Sequence, residues 1–294
     1  MPHTLFLPDS YSAHQISLLE DLLARVSPRD VEKAVVDLFA GCGGLQSGFN
    51  DAPGSWAGMI MRGHLRRPHL RNVPDDGFYS EMAFGAHLVS VLQIPEIEPV
   101  DANIIPTGAV PFSKLDRARP GDVCVFHEND PMFADYLVYR EARDAAWDKV
   151  ELFASADCSL YTDMPFGLQI ANTYLNRLTA HDLQRSGHLH APLCRWGDER
   201  SYEPFITDVP LAFIGLPKHN AVWVGAYGVS KSKENAAHFR RGLIAMLEWL
   251  EPQRVFVYGA MKKSVFRGLT GLTDFVQYPD WTTRMHREAD DGER

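Results

Sequence analysis

Between Gly121 and Gly268 short apolar runs alternate with helical stretches, and this alternation constrains the fold more than any other feature of the chain. The runs are Asp122–His127, Val150–Ser155, His188–Cys194, Ala221–Ala226 and Arg254–Tyr258. Helical stretches are predicted over Pro131–Ala145, Pro165–Arg185 and Lys233–Leu250, with Asp130 as an N-cap candidate and Pro165 in a first turn where its missing N–H costs nothing. Runs of this kind, mostly apolar without strict alternation, suit strands buried on both faces, and strand–helix alternation at this spacing predicts βαβ units. The fold class is therefore α/β with a mainly parallel sheet. Adding Val35–Phe39 and Asp274–Tyr278 brings the strand count near that of a complete or partial β/α barrel, with an open doubly wound sheet as the alternative.

The first hundred residues read differently. Residues 11–26 carry Ile16, Leu19, Leu22, Leu23 and Val26 at helical spacing, and Pro28 follows. Residues 50–110 are rich in turn formers (NDAPGS, RRPHLRNVPDDG, PEIEPVDANIIP) and predict an irregular region. This divides the chain into an N-terminal helix and irregular region over 1–104, packing on the main fold, and a β/α domain over 105–294.

The 294 residues are 45% hydrophobic and 23% charged, enough apolar side chain to exclude a disordered or collagen-like chain. A net charge of −9 argues against non-specific wrapping of duplex DNA, which needs phosphate neutralisation, though not against a local basic patch. Arg62, Arg66, Arg67, Arg71, Lys262, Lys263 and Arg267 are candidates for such a patch. Cys42, Cys124, Cys158 and Cys194 form no Cys-x-x-Cys pair, which predicts reduced thiols in a reducing compartment. The start lacks a signal-peptide pattern and no apolar run is long enough for a membrane span, so a cytoplasmic chain without membrane contact is expected. His188 and His190 alternate, but HExxH and other strong ligand spacings are absent, and no metal site is predicted.

Parallel α/β folds bind ligands beyond the carboxyl ends of their strands. The residues that follow the runs are therefore candidates: His127 and Asp130; Asp157, Ser159 and Asp163; Arg195 and Trp196; Tyr227; and Tyr258. Such a set can stack a planar ring, clamp an anion and supply a carboxylate as acid, base or nucleophile. Asp and Ser after strands also serve as caps and turn formers. On the helix after the second run Gln169, Asn172 and Asn176 share a face, with Arg177 beside them, so that polar face is either solvated or turned toward a site.

Val36–Phe49, VDLFAGCGGLQSGF, resembles the first motif of DNA cytosine-5 methyltransferases. The resemblance implies an S-adenosylmethionine-binding turn, with Asp37, Gly41, Gly43 and Gly44 as cofactor-binding residues. It stops there: no cysteine follows a proline, and neither Glu128-Asn129 nor Glu234-Asn235 continues into valine, so the family's nucleophile and its Glu-Asn-Val segment are missing.

A second resemblance covers about half the chain. PFSKLDRARPGDVCVFHENDPMF, SADCSLYTDMPFGLQIANTYLNR, CRWGD, VGAYG and FRRGLIAMLEWLEPQRVFVYG occur in that order and are similar to the domain of unknown function 4417 family of bacteria and their phages, over about residues 105–259. The match departs where Ala156 stands in place of a frequent proline. It implies a fold and a phage or mobile-element context, and no activity.

Three functional readings stay open. The first is an enzyme acting on a nucleobase, nucleotide or nucleic acid, with Asp157 as nucleophile or base, Asp163 as its partner, Arg195 as anion clamp, and Trp196, Tyr227 and Tyr258 as stacking walls; His127, Asp130, Ser159, Asn172 and Arg177 would complete the binding surface. The second is a non-catalytic binding or regulatory protein that acts on a host partner. The third is an S-adenosylmethionine-binding protein.

Overall fold

Ladder order explains how the chain gathers its strand ends. The computed structural model describes residues 81–227, 229 and 232–292. A two-residue antiparallel pair, β1 (Leu88–Val89) and β2 (Ile94–Pro95), comes first. Then β3 (Gly108–Pro111), β4 (Asp122–Val125), β5 (Leu152–Ala154) and β6 (Leu189–Ala191) pair in parallel, each with the next in sequence. So do β7 (Ala221–Gly225), β8 (Arg254–Tyr258) and β9 (Asp274–Tyr278). A parallel bridge between Leu193 and Trp223 joins the two ladders, with Cys194 N–H donating to the Trp223 carbonyl at 2.8 Å and Trp223 N–H to that of Pro192 at 2.9 Å.

Helices supply the crossovers that parallel neighbours require. They are α1 (Ala134–Val138) and α2 (Arg140–Trp147) after β4, α3 (Phe166–Arg185) after β5, α4 (Glu199–Tyr202) after β6, α5 (Lys233–Leu250) after β7, α6 (Lys263–Phe266) after β8 and α7 (Trp281–Gly292) after β9. Strand alternation then sorts the apolar side chains into layers. Ala109, Val123, Val125, Ala154, Ala191, Leu193, Ala221, Trp223, Phe256, Tyr258 and Tyr278, drawn from all seven parallel strands, form one cluster, so the sheet curls around its inner face. On the outer face Cys124, Phe126 and Phe153 pack on α1, α2 and α3 through Phe133, Tyr136, Ala146 and Leu183. Val222, Val224, Val255 and Val257 pack on α5 through Leu243, Met246, Leu247 and Leu250. Tyr278 Oη donates to the Pro106 carbonyl, 2.9 Å away and just before β3. The ladders meet the parallel α/β expectation, and none pairs β9 with β3 among the described residues.

Three local expectations need correction. β3 was not predicted, because Gly and Pro in GAVP read as turn formers; it lies at the edge of its sheet, where proline is tolerated. The helix expected over Pro131–Ala145 breaks at Tyr139, which is extended (φ −113°, ψ 128°). The carbonyls of Tyr136 and Leu137, which a continuous helix would pair with residues 140 and 141, accept from Arg143 Nη1 instead, at 3.3 and 3.5 Å. Asp130 caps no helix; its carboxylate accepts from Ser159. The helix expected over 11–26 and the strand expected over Val35–Phe39 lie outside the described residues. No helix among the described residues is long and apolar enough to cross a membrane.

Candidate functional site

The inward alternation ends in polar or small residues at the carboxyl ends, just past the strands at His127 and Arg195 and on the last strand residue at Gly225 and Tyr258. Val123 and Val125 lead to His127, Ala191 and Leu193 to Arg195, Trp223 to Gly225, and Phe256 to Tyr258. The carboxyl ends thus place a polar layer directly over the apolar interior, where a parallel sheet is expected to hold a ligand.

Asp157 organises this layer. Its Oδ2 accepts from His127 Nδ1 at 2.7 Å and from Arg195 Nη1 at 2.6 Å. The His127 and Asp157 side chains are 3% and 4% exposed, whereas Arg195 is 30% exposed. Burial opposes ionisation of Asp157, but the charges of Arg195 and His127 and their hydrogen bonds outweigh it and hold the carboxyl down to about 2. An ionised carboxylate only accepts, so His127 Nδ1 carries a proton in either charge state, and Nε2 is the nitrogen that gives up a proton when the ring becomes neutral and can take one back. The imidazole stacks on Tyr258, with centroids 5.0 Å apart at 21°. Its other face meets Gly225, where a Cβ would lie 2.8 Å from Nδ1 and 2.9 Å from Cε1. His127 Nε2 and Asp157 Oδ1 are both buried with no partner among the described residues. Buried polar atoms are rarely left so, and leaving one unpaired costs about 1–3 kcal/mol.

The segment that carries Asp157 is a buried stretch without regular structure, residues 155–160. Its backbone groups therefore need side-chain partners, and α3 supplies them from one face. Thr179 Oγ1 accepts from Ala156 N–H at 3.0 Å. Asn176 accepts from Cys158 N–H at 2.7 Å and donates to its carbonyl at 3.3 Å. Asn172 donates to the Ser159 carbonyl at 2.6 Å. From the β4 side, Asp130 accepts from Ser159 N–H and Oγ at 3.0 and 2.6 Å.

His127, Asp130, Asp157, Ser159, Asn172, Arg195 and Tyr258 thus come together. Tyr161 and Tyr227, on the loops after β5 and β7, are exposed at 55% and 61%. Burial works against the charge of Arg195 and Asp157 more than offsets it, with smaller contributions from Asp130 and Tyr161, so its pKa is raised. Asp157 is the only partner of the Arg195 guanidinium among the described residues.

Other predicted residues sit elsewhere. Trp196 follows an inward Arg195 and so faces out; it is buried against Phe239, centroids 5.0 Å apart, with its indole over Gly242 of α5. Arg177 is fully buried and donates to the carbonyls of Ile214, Leu193 and Ala212 at 2.9, 2.9 and 2.6 Å, and burial pushes its pKa down to about 10. It ties α3 to the β6 end and meets no acidic group. Asp163 is exposed in the turn before Pro165 and takes no part in the bonds around Asp157. Asp37, Gly41, Gly43 and Gly44 lie outside the described residues, as do Arg62, Arg66, Arg67 and Arg71. No group of three or more His, Cys, Asp or Glu among the described residues could hold a metal ion. Gly225 and Thr179 were not singled out from the sequence. A glycine ending the inward period of AVWVG was a usable signal for the first; nothing marked Thr179 apart from its place seven residues after Asn172.

A model of the family described as "Domain of unknown function (DUF4417)" matches residues 86–279. The chain is 24% identical to the Gene 1 protein of Mycobacterium phage L5 over 215 residues, covering 69% of this chain and 86% of that protein. It is also 24% identical to the Gene 1 protein of Mycobacterium phage D29 over 205 residues, covering 69% of this chain and 72% of that protein. No solved structure matches the chain. With the family model spanning the curled sheet and every residue of the polar layer above it, the chain belongs to the DUF4417 family.

Proposed function

We propose that the chain is an enzyme that transfers a proton on a nucleobase, nucleotide or nucleic-acid substrate at the carboxyl ends of its strands. The observation that carries this reading is the pair of buried, unpartnered atoms His127 Nε2 and Asp157 Oδ1, beside a bond that puts the imidazole proton on Nδ1. His127 Nε2 acts as the base and then the acid. Asp157 fixes the tautomer and stabilises the imidazolium, a role better suited to a carboxylate held near 2 than that of a proton acceptor. The N–H groups of Arg195 not engaged by Asp157 suit a phosphate or another anionic oxygen. The exposed rings of Tyr161 and Tyr227 suit a planar base. The phage relatives add a setting in which such substrates are at hand.

Calorimetric titration of the full chain with nucleobases, nucleosides and 5′-monophosphates tests the substrate class. At least one monophosphate is expected to bind, and Arg195→Ala to weaken it by about tenfold or more while affecting the parent nucleoside less. Absence of heat with every compound, or wild-type binding by both Arg195→Ala and His127→Gln, would remove the reading.

A second reading, a binding or regulatory protein that acts on a host partner, is favoured by exposed apolar side chains on the first turn of α3 and on the segment after α4. Leu168, Phe205, Ile206 and Val209 are 55%, 57%, 48% and 37% exposed. A stable complex with one host protein that forms equally well with Asp157→Asn would support it over catalysis.

A further inference from the structure

Residues 155–160, directly after β5, are buried yet form no helix or strand, so nothing regular in the backbone determines where Asp157 points. Four of the backbone groups around it are instead taken by named side chains of α3: Ala156 N–H by Thr179, Cys158 N–H and C=O by Asn176, and the Ser159 carbonyl by Asn172. These three residues lie at intervals of four and three on α3, one stripe of a single helix. An ordinary buried crossover helix would present apolar side chains there, and α3 does so on its other contacts, through Leu175, Leu178 and Leu183. The hydrogen bonds of His127 and Arg195 go to Asp157, not to any of the three.

We infer that Asn172, Asn176 and Thr179 are positioning residues, acting through the Asp157 segment to keep Oδ2 within hydrogen-bond reach of His127 Nδ1 and so to hold the imidazole in the tautomer with Nε2 free. This rests on the proton-transfer reading of His127 and deepens it. A shift of Asp157 by about 1 Å would lengthen the 2.7 Å bond beyond hydrogen-bonding range, and the imidazole would then revert toward the Nε2–H form that histidine prefers free in water. The sequence SADCSLY followed by a helix bearing Asn, Asn and Thr on one stripe is thus one device written in two segments.

The test is long-range ¹H–¹⁵N NMR of the full chain labelled in histidine, with His127 assigned by its loss in His127→Gln. Wild type is expected to show His127 protonated at Nδ1. Asn176→Ala and Thr179→Val should lower the ratio of Nδ1–H to Nε2–H forms by about tenfold or more, as loss of a hydrogen bond to a charged group implies. Thr179→Ser, which keeps the hydroxyl, should restore it, and Gly242→Ala, which disturbs the packing on Trp196 away from this segment, should leave it unchanged. If Asn176→Ala does not fold, the Thr179 pair decides alone. A wild-type tautomer in Thr179→Val overturns the positioning role and leaves the dyad intact. An Nε2–H form in wild type removes the dyad itself, and the positioning role with it.

Discussion

Replacing Asp157 with asparagine keeps the shape of the side chain and removes the charge that His127 and Arg195 share. The carboxyl is held at about 2 against an ordinary 3.8, so its ionised form contributes to stability above pH 4, and that contribution is lost as pH falls through 2. The difference corresponds to about 2 kcal/mol at pH 7, with about half remaining at pH 3. Arg195 is 30% exposed and water can reach it in the variant, so the loss should not greatly exceed this figure. Urea unfolding followed by tryptophan fluorescence should show Asp157→Asn less stable than wild type by about 2 kcal/mol at pH 7, or about 4–8 °C in Tm. The gap should be constant from pH 7 to 5 and close between 4 and 2. Equal stability of the two proteins at pH 7, or a gap that does not narrow below pH 4, would refute the argument that an ionised, paired Asp157 organises the strand ends.

Burial lowers His190 from 6.5 to about 4, so its neutral form is favoured in the fold, and about 3 kcal/mol of stability should disappear as pH falls from 6.5 to 4. In His190→Gln that slope should flatten, which the same urea series at pH 7, 5.5 and 4.5 would show; an unchanged slope would contradict it. Arg177→Lys keeps the charge but cannot reach three carbonyls as a fork, and should cost about 2–4 kcal/mol by urea midpoint, with a cost near zero counting against the clamp. Gly225→Ala should push the His127 ring aside and lower ligand affinity or turnover by about tenfold or more, and wild-type behaviour would show that the close approach of His127 to Gly225 is not needed.

Elements that draw on local chemistry alone were legible in the sequence. β8 and β9 occupy Arg254–Tyr258 and Asp274–Tyr278 as their apolar runs suggest. α5 spans Lys233–Leu250, started by Ser232, whose hydroxyl accepts from Asn235 N–H at 3.0 Å, and ended by Glu251 in the left-handed region. Where a tertiary partner takes over a backbone group, the local pattern misled. Arg143 claims the carbonyls at the α1–α2 break, and Ser159 claims the carboxylate of Asp130 that read as a cap. The site was legible as a place, because residues after parallel strands converge, but not as a division of labour. The period of two that sends Arg195 inward also sends Trp196 outward, and Arg177 stands one position off the Asn172–Asn176 stripe and serves other carbonyls. That His127 and Asp157 share a hydrogen bond depends on the register between β4 and β5, Val123 with Leu152 and Cys124 with Phe153, which no local pattern encodes.

The central claim is that His127 moves a proton, and the most direct test is product formation. The full chain, wild type and His127→Gln, should be incubated with nucleosides, nucleotides and single-stranded oligonucleotides, with products read by mass spectrometry. Conversion of at least one substrate by wild type, with a rate about 10²–10⁴-fold lower in His127→Gln, is the predicted result. Conversion by His127→Gln at the wild-type rate, or no conversion by a wild-type protein that binds the compounds, would contradict it.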